Sequence, residues 1–219
     1  MSTAAFQSDP YRIGHHHAEG HRHATGHGDG GPASKRIIVG YGFWIFLLSD
    51  VIIFSSFFAA YAVLWRSTAD GPSAREIFHP VSVAAQTACL LVSSFTCGMA
   101  SLAVAQHNQK WTQVALLVTG LLGLTFLVLE AHEFSDLVSQ GAGPSRSAFL
   151  SAFFTLVGCH GAHVTTGLLW LGTMMAQFWA KGFRRDIRHR FLCFALFWHA
   201  LDIIWVGIFS LVYLVGMSA

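Results

Sequence analysis

Charge is scarce in this sequence. Lys, Arg, Asp and Glu together make up 11 % of its 219 residues, less than half the share found in an ordinary soluble domain. Hydrophobic residues reach 53 %, with 19 Phe and 7 Trp, and so few charges cannot cover that much apolar side chain, which excludes a water-soluble globule. Proline is sparse as well. Its five occurrences, at 10, 32, 72, 80 and 144, leave apolar runs uninterrupted at 40–65, 82–105, 111–136, 148–180 and 191–216. Each run is long enough to cross a hydrocarbon core of about 30 Å as a helix. Cysteine is limited to Cys89, Cys97, Cys159 and Cys193. All four lie inside the runs without C-x-x-C spacing, so they read as small apolar packing residues and not as a disulfide framework or a metal finger. Residues 1–36 hold no apolar stretch. No cleavable signal is therefore expected, and the first run should serve as its own insertion signal.

These features predict an all-α polytopic membrane protein, a bundle of five transmembrane helices with no internal repeat. Orientation follows from Lys and Arg, which are retained on the cytoplasmic side of short loops. One side receives ten of them, from Arg12 to Arg190, and the other only Arg66, Arg75 and Arg146. The N-terminus is thus expected in the cytoplasm and the C-terminus in the periplasm. The stretches at 67–80 and 137–147, with Pro72, Pro80 and Gly141 to Arg146, are expected to be periplasmic turns. The basic run KGFRRDIRHR at 181–190 is expected to be a cytoplasmic linker and topology determinant, lying against anionic headgroups. Two parts are predicted: a disordered His/Gly-rich tail over 1–36 and a transmembrane domain over 37–219. The tail carries His15, His16, His17, His21, His23 and His27. Their irregular spacing fits no fixed coordination geometry, so any affinity for transition metals would be incidental.

What is present inside the apolar runs is a small set of polar groups: Asp50 in the first, Glu130, His132 and Glu133 in the third, His160 and His163 in the fourth, His199 and Asp202 in the fifth. A carboxylate near the bilayer centre costs about 2.5–3.5 kcal/mol on insertion scales, so these groups are expected to face one another and not lipid. Glu130/Glu133, His160/His163 and His199/Asp202 are each three residues apart and share a helix face. By depth, Asp50, His199 and Asp202 could lie in one layer. Four readings are open from the residues alone: a di-metal site, haem ligation by a cross-helix pair such as His163 with His199, a proton relay, or a structural network locking the helices in register. Small residues at Ser94-x3-Gly98 and Gly158-x3-Ala162 suggest close helix contacts.

Four stretches carry a resemblance. They are GFWIFLLSDVIIFSSFFAAYAVL at 42–64, LEAHEF at 129–134, GPSRSAFLSAFFTLVGCHGAHVTTGLLWL at 143–171 and FWHALDIIWVGIFSLVYLVG at 197–216. With their H-G-x-H-V-x-x-G and W-H-x-x-D-x-x-W patterns, they resemble subunit III of the haem-copper respiratory oxidases, and most closely the shorter form in cytochrome bo-type ubiquinol oxidases. The resemblance extends over nearly all of the chain beyond residue 37. Asp50 matches an acidic position where the cytochrome c branch usually has Glu; the shorter acid and five spans instead of seven favour the quinol branch. His160, Gly161, His163 and Gly167 match the fourth-span motif, and His199, Asp202 and Trp205 the fifth.

The resemblance implies a bacterial inner-membrane subunit without catalytic residues or resident metal. It would bind phospholipid and support assembly and stability beside a large subunit I that holds the haems and copper. Subunit II and a small subunit IV are the other implied partners, and nucleic acid is not one. The four intramembrane histidines could not ligate two haems and a copper, and no C-x3-C copper loop is present, in keeping with such a role. The alternatives are subunit III of a cytochrome c oxidase, a metal-dependent membrane enzyme, or a metal transporter fed by the tail. On this reading His160 and His163 are expected to pair with acids on neighbouring helices, and Asp50, Glu130, Glu133, His199, Asp202 and Trp205 to complete a structural network or lipid cleft.

Overall fold

Helix follows helix along the chain, because in lipid an apolar segment satisfies its backbone most simply within itself. The computed structural model describes residues 35–68 and 80–214. It contains α1 (Lys35–Leu64), α2 (Pro80–Ala105), α3 (Gln109–Ser139), α4 (Ala148–Lys181) and α5 (Arg185–Ile208), the last continuing into a π-helical segment, Phe209–Leu214. All five helices are long and apolar enough to cross a membrane, and among the described residues there is no strand. The histidines of the tail and most of the 67–80 stretch lie outside the described residues.

Local chemistry sets the ends. Pro80 opens α2, where its missing N–H costs nothing. Asn108 caps α3 by accepting from the Trp111 amide, and Ser147 caps α4 by accepting from the Leu150 amide, each satisfying an orphan donor of the first turn. Gly182, with φ +65°, stops α4.

The basic run expected as a linker is mostly helix, because α5 begins at Arg185. Ile187 and Phe191, one turn apart, are both buried, and Asp186 in the first turn complements the helix dipole. Only residues 182–184 remain to join α4 to α5.

Packing falls into three units. α2 and α3 form an antiparallel hairpin whose buried positions step by threes and fours: Val83, Gln86, Leu90, Ser93, Cys97, Ala100 and Val104 against Thr112, Leu116, Thr119, Gly123, Phe126 and Glu130. That is the spacing of a knobs-into-holes seam, and a Thr96–Thr119 hydroxyl contact of 2.8 Å lies in it. α4 and α5 form a second hairpin, packed against α3 and α2 respectively. α1 rests on α4 and α5 through Leu47, Phe54 and Tyr61, seven residues apart. In its most apolar stretch 11 % of residues are buried within the chain, against 56 % in α5. α5 is thus the central helix and α1 the peripheral one. All four cysteines are free.

Candidate functional site

The polar groups of the spans are held in separate small clusters. The first is at the α3–α4 contact. Glu130 is only 5 % exposed, and its carboxylate lies over Gly161, where a Cβ would stand 2.6 Å from Oε1 and 2.8 Å from Oε2. Glycine is needed there for the acid to fit. Oε2 of Glu130 has no hydrogen-bond partner among the described residues. One turn on, Glu133 accepts from Gln86 Nε2 of α2 at 2.7 Å and also engages Tyr213 near the chain's end.

His160 follows a different logic from the expected acid pairing. It is fully buried in an aromatic cage, with ring centroids 5.2 Å from Trp205, 5.8 Å from Phe126 and 6.3 Å from Phe54. Neither ring nitrogen has a hydrogen-bond partner among the described residues. His163 turns towards α1, packing 5.2 Å from Phe54. Its Nδ1 donates to the Cys159 carbonyl one turn back at 2.8 Å. On the α1 side of this pair lies the carboxylate of Asp50, half-buried and close enough to Cys159 for their charges to interact, yet neither histidine bonds to it among the described residues. The Glu130 carboxylate thus lies against the α4 backbone at Gly161, while the His160 ring itself fills the space between aromatic rings.

The third cluster joins α2 to α5. Ser94 Oγ lies 2.8 Å from Nδ1 of His199 and within reach of Asp202. Trp198 Nε1 donates to Ser93 Oγ at 3.2 Å, and Trp205 Nε1 to Thr87 Oγ1 at 3.1 Å. Trp205 also packs edge-on against Phe126 at 4.6 Å, so the fifth-span motif works as two indoles and an imidazole bonded to hydroxyls of α2. Such interhelical bonds contribute about 0.6–2 kcal/mol each in a membrane. Asp50 has no hydrogen bond to His199 or Asp202 among the described residues. α1 turns Asp50 to α4, whereas α5 turns His199 and Asp202 to α2. For the same reason His163 and His199, the pair considered for haem ligation, engage different helices. His132 is exposed and paired with Asp136 at 2.9 Å, outside the network.

Crowded glycines mark the contacts. Gly123 and Gly167 clasp the Trp198 indole, where added Cβ atoms would come within 2.9 Å and 3.0 Å of it. The small-residue motifs singled out from sequence do not serve this way: a Cβ at Gly98 meets nothing within 4 Å, and one at Gly158 only Phe134 at 3.6 Å. Sequence reading also missed Gln86, Thr87 and Ser93 as partners. The visible signal was Gln86 and Ser93 seven residues apart in a helix without a charged residue. At the other end Tyr61 donates to the Val212 carbonyl at 3.4 Å, tying α1 to the π-helical segment. Among the described residues no group of three or more His, Cys, Asp or Glu is arranged to hold a metal ion.

The fold and site define a class: a multi-pass helical membrane protein whose buried polar groups bond helix to helix, with aromatic side chains filling the space between. Comparison with known proteins narrows it. A family model described as cytochrome c oxidase subunit III matches residues 19–217, and the chain belongs to that family. It is 46 % identical over 220 residues to the cytochrome bo(3) ubiquinol oxidase subunit 3 of Pseudomonas aeruginosa, covering 99 % of both chains. It is 40 % identical over 177 residues to the quinol oxidase subunit 3 of Bacillus subtilis, covering 81 % of this chain and 87 % of that one. A cytochrome c oxidase subunit 3 of Bacillus sp. strain PS3 is 43 % identical over 176 residues, with 80 % and 85 % covered.

Proposed function

We propose that the chain is the non-catalytic subunit III of a proton-pumping terminal ubiquinol oxidase in a bacterial inner membrane. Its complex oxidises ubiquinol and reduces dioxygen to water. The observation that carries the quinol assignment is the full-length match at 46 % identity to a bo(3) ubiquinol oxidase subunit. The Bacillus sp. strain PS3 relative, named for cytochrome c, supports the second reading, a cytochrome c oxidase subunit III.

The chain's part in this complex is mechanical. Glu130, Glu133, His160, His199, Asp202 and Trp205 set the register of α2 to α5, while Asp50 and His163 lie at the edge where α1 meets α4. A bundle with its helices locked in this way offers a rigid flank to the large haem-copper subunit I, beside subunit II and a small subunit IV, and can retain phospholipid. The haems and copper belong to the large subunit. Ten Lys and Arg against three favour a cytoplasmic N-terminus and a periplasmic C-terminus.

The test is to capture the chain from gently solubilised native membranes and record the visible spectrum and oxygen uptake of what accompanies it. A haem-bearing large subunit with cyanide-sensitive oxygen uptake driven by ubiquinol is the expected result. Uptake driven by reduced cytochrome c and not by ubiquinol would select the second reading. A chain that comes alone with bound metal would overturn both.

A further inference from the structure

Three acids of α3 stand at successive turns and come progressively into the open. Glu130 is 5 % exposed, Glu133 is half-buried, and Asp136 is exposed and paired with His132. The helix ends at Ser139, where the chain turns towards α4. Glu130 therefore lies roughly 14 Å along the helix from that end, with the other two acids between it and the aqueous face.

The two inner acids have unlike surroundings. Glu133 accepts from Gln86 Nε2 at 2.7 Å and from the Tyr213 hydroxyl, and donors of this kind favour an ionised carboxylate. Glu130 lacks them. Its Oε2 has no hydrogen-bond partner and it forms no ion pair among the described residues, while its neighbours are the α4 backbone at Gly161 and the charge of Glu133. A second ionised carboxyl here would stand unbonded beside a like charge, away from water. In the same cluster Gln86 is fully buried, and its Oε1 accepts from nothing among the described residues. The other titratable groups nearby are His160 on α4, its ring in the aromatic cage, and Tyr61 on α1, which acts on Tyr213. Neither bonds to Glu130 among the described residues.

We propose that Glu130 and Glu133 form a proton-binding pair, in which Glu133 carries the charge and Glu130 holds one exchangeable proton taken from water at the face where α3 turns into α4. The pair passes from two negative charges to one as the proton binds. Protonation makes Glu130 a hydrogen-bond donor, the kind of group that the enclosed Gln86 oxygen lacks. Glu133 and the Asp136–His132 pair are the steps by which the proton comes and goes, since carboxyl and imidazole groups spaced by one turn relay protons within membranes. The inference goes beyond the mechanical part given to these acids above and does not depend on which electron donor the complex uses.

The experiment is infrared spectroscopy of the intact complex at neutral pH, recorded as the difference between wild type and variant, with retention of the subunit checked by mass spectrometry. Wild type minus Glu130→Gln is expected to show the carbonyl stretch of one un-ionised carboxylic acid, moving to lower frequency in deuterated water. Wild type minus Glu133→Gln should instead show the loss of an ionised carboxylate. Gln86→Leu, which keeps both acids but removes the acceptor, should shift the acid band to higher frequency, and it decides the matter if Glu130→Gln does not assemble. The proposal is overturned by the absence of an acid band from the Glu130→Gln difference, by a band that does not move in deuterated water, or by a band unaffected by Gln86→Leu. A band that appears only when sodium and potassium are removed would also overturn it, because a metal cation would then occupy the pair. Loss of ubiquinol turnover in the wild-type preparation would count against the proposed function and leave the infrared result standing.

Discussion

Replacing Gly161 with alanine puts a methyl group into the space occupied by the Glu130 carboxylate. The new carbon would lie 2.6 Å and 2.8 Å from its two oxygens. Comfortable contact is about 3.5 Å, so the carboxylate must retreat by roughly 0.7–0.9 Å. Glu130 is 5 % exposed, so it can retreat only by displacing neighbours. Overpacking of this kind costs about 1–3 kcal/mol. Against it stands the helix-propensity gain of glycine to alanine, about 1 kcal/mol. Gly172 lies on the same helix with nothing within 4 Å of an added Cβ, and Gly172→Ala therefore isolates the gain. The difference between the two variants is the clash itself, about 1–3 kcal/mol.

The assay is unfolding of the purified chain by SDS titration in mild detergent, followed by tryptophan fluorescence, to which buried Trp198 and Trp205 contribute. A double-mutant cycle with Glu130→Ala completes it. Removing the carboxylate should cancel the cost of Gly161→Ala, giving a coupling of about 1–3 kcal/mol. Indistinguishable Gly161→Ala and Gly172→Ala midpoints, or an additive cycle, would refute the reasoning, because Gly161 would then not be glycine on account of Glu130.

Gly123→Ala should destabilise more than Gly161→Ala in the same assay, since the added carbon meets the rigid Trp198 indole at 2.9 Å and not a flexible carboxylate; the opposite order would show that the indole can shift. His160→Phe is expected to be neutral or stabilising, because a fully buried imidazole with neither nitrogen bonded among the described residues gives way to an apolar ring in an aromatic cage. A loss above about 2 kcal/mol would show that the imidazole bonds to something the cage does not supply. Asp50→Asn should leave the initial turnover of the complex nearly unchanged while increasing loss of the subunit during purification, as Asp50 lies at the α1–α4 edge; an immediate fall in turnover with the subunit still bound would contradict this.

Five spans and the polar residues within them were legible in the sequence because lipid imposes one strong rule, an uninterrupted apolar run about twenty residues long. The same rule says nothing about which face of a helix meets which neighbour. His160 and His163 share a helix face by spacing, yet one is caged by Trp205 and Phe126 and the other by Phe54 and a backbone carbonyl. A difference of that kind depends on where three other helices put their aromatic rings. Electrostatic reasoning predicts acids beside buried histidines, whereas in this bundle His199 bonds to the Ser94 hydroxyl, and the hydroxyls of Thr87 and Ser93 accept from the indoles of Trp205 and Trp198. A hydroxyl costs little to bury and can donate to its own helix while accepting from a neighbour, as Thr87 does with the Val83 carbonyl and the Trp205 indole. Ser and Thr therefore leave no conspicuous mark in an apolar run, although they carry the cross-helix bonds. Glycine misleads in the opposite direction. The G-x-x-x-small spacing at Gly158 is conspicuous but nearly uncrowded, whereas Gly123, Gly161 and Gly167 are fixed by the bulk of Trp198 and Glu130 on other helices, a constraint that no single helix can display.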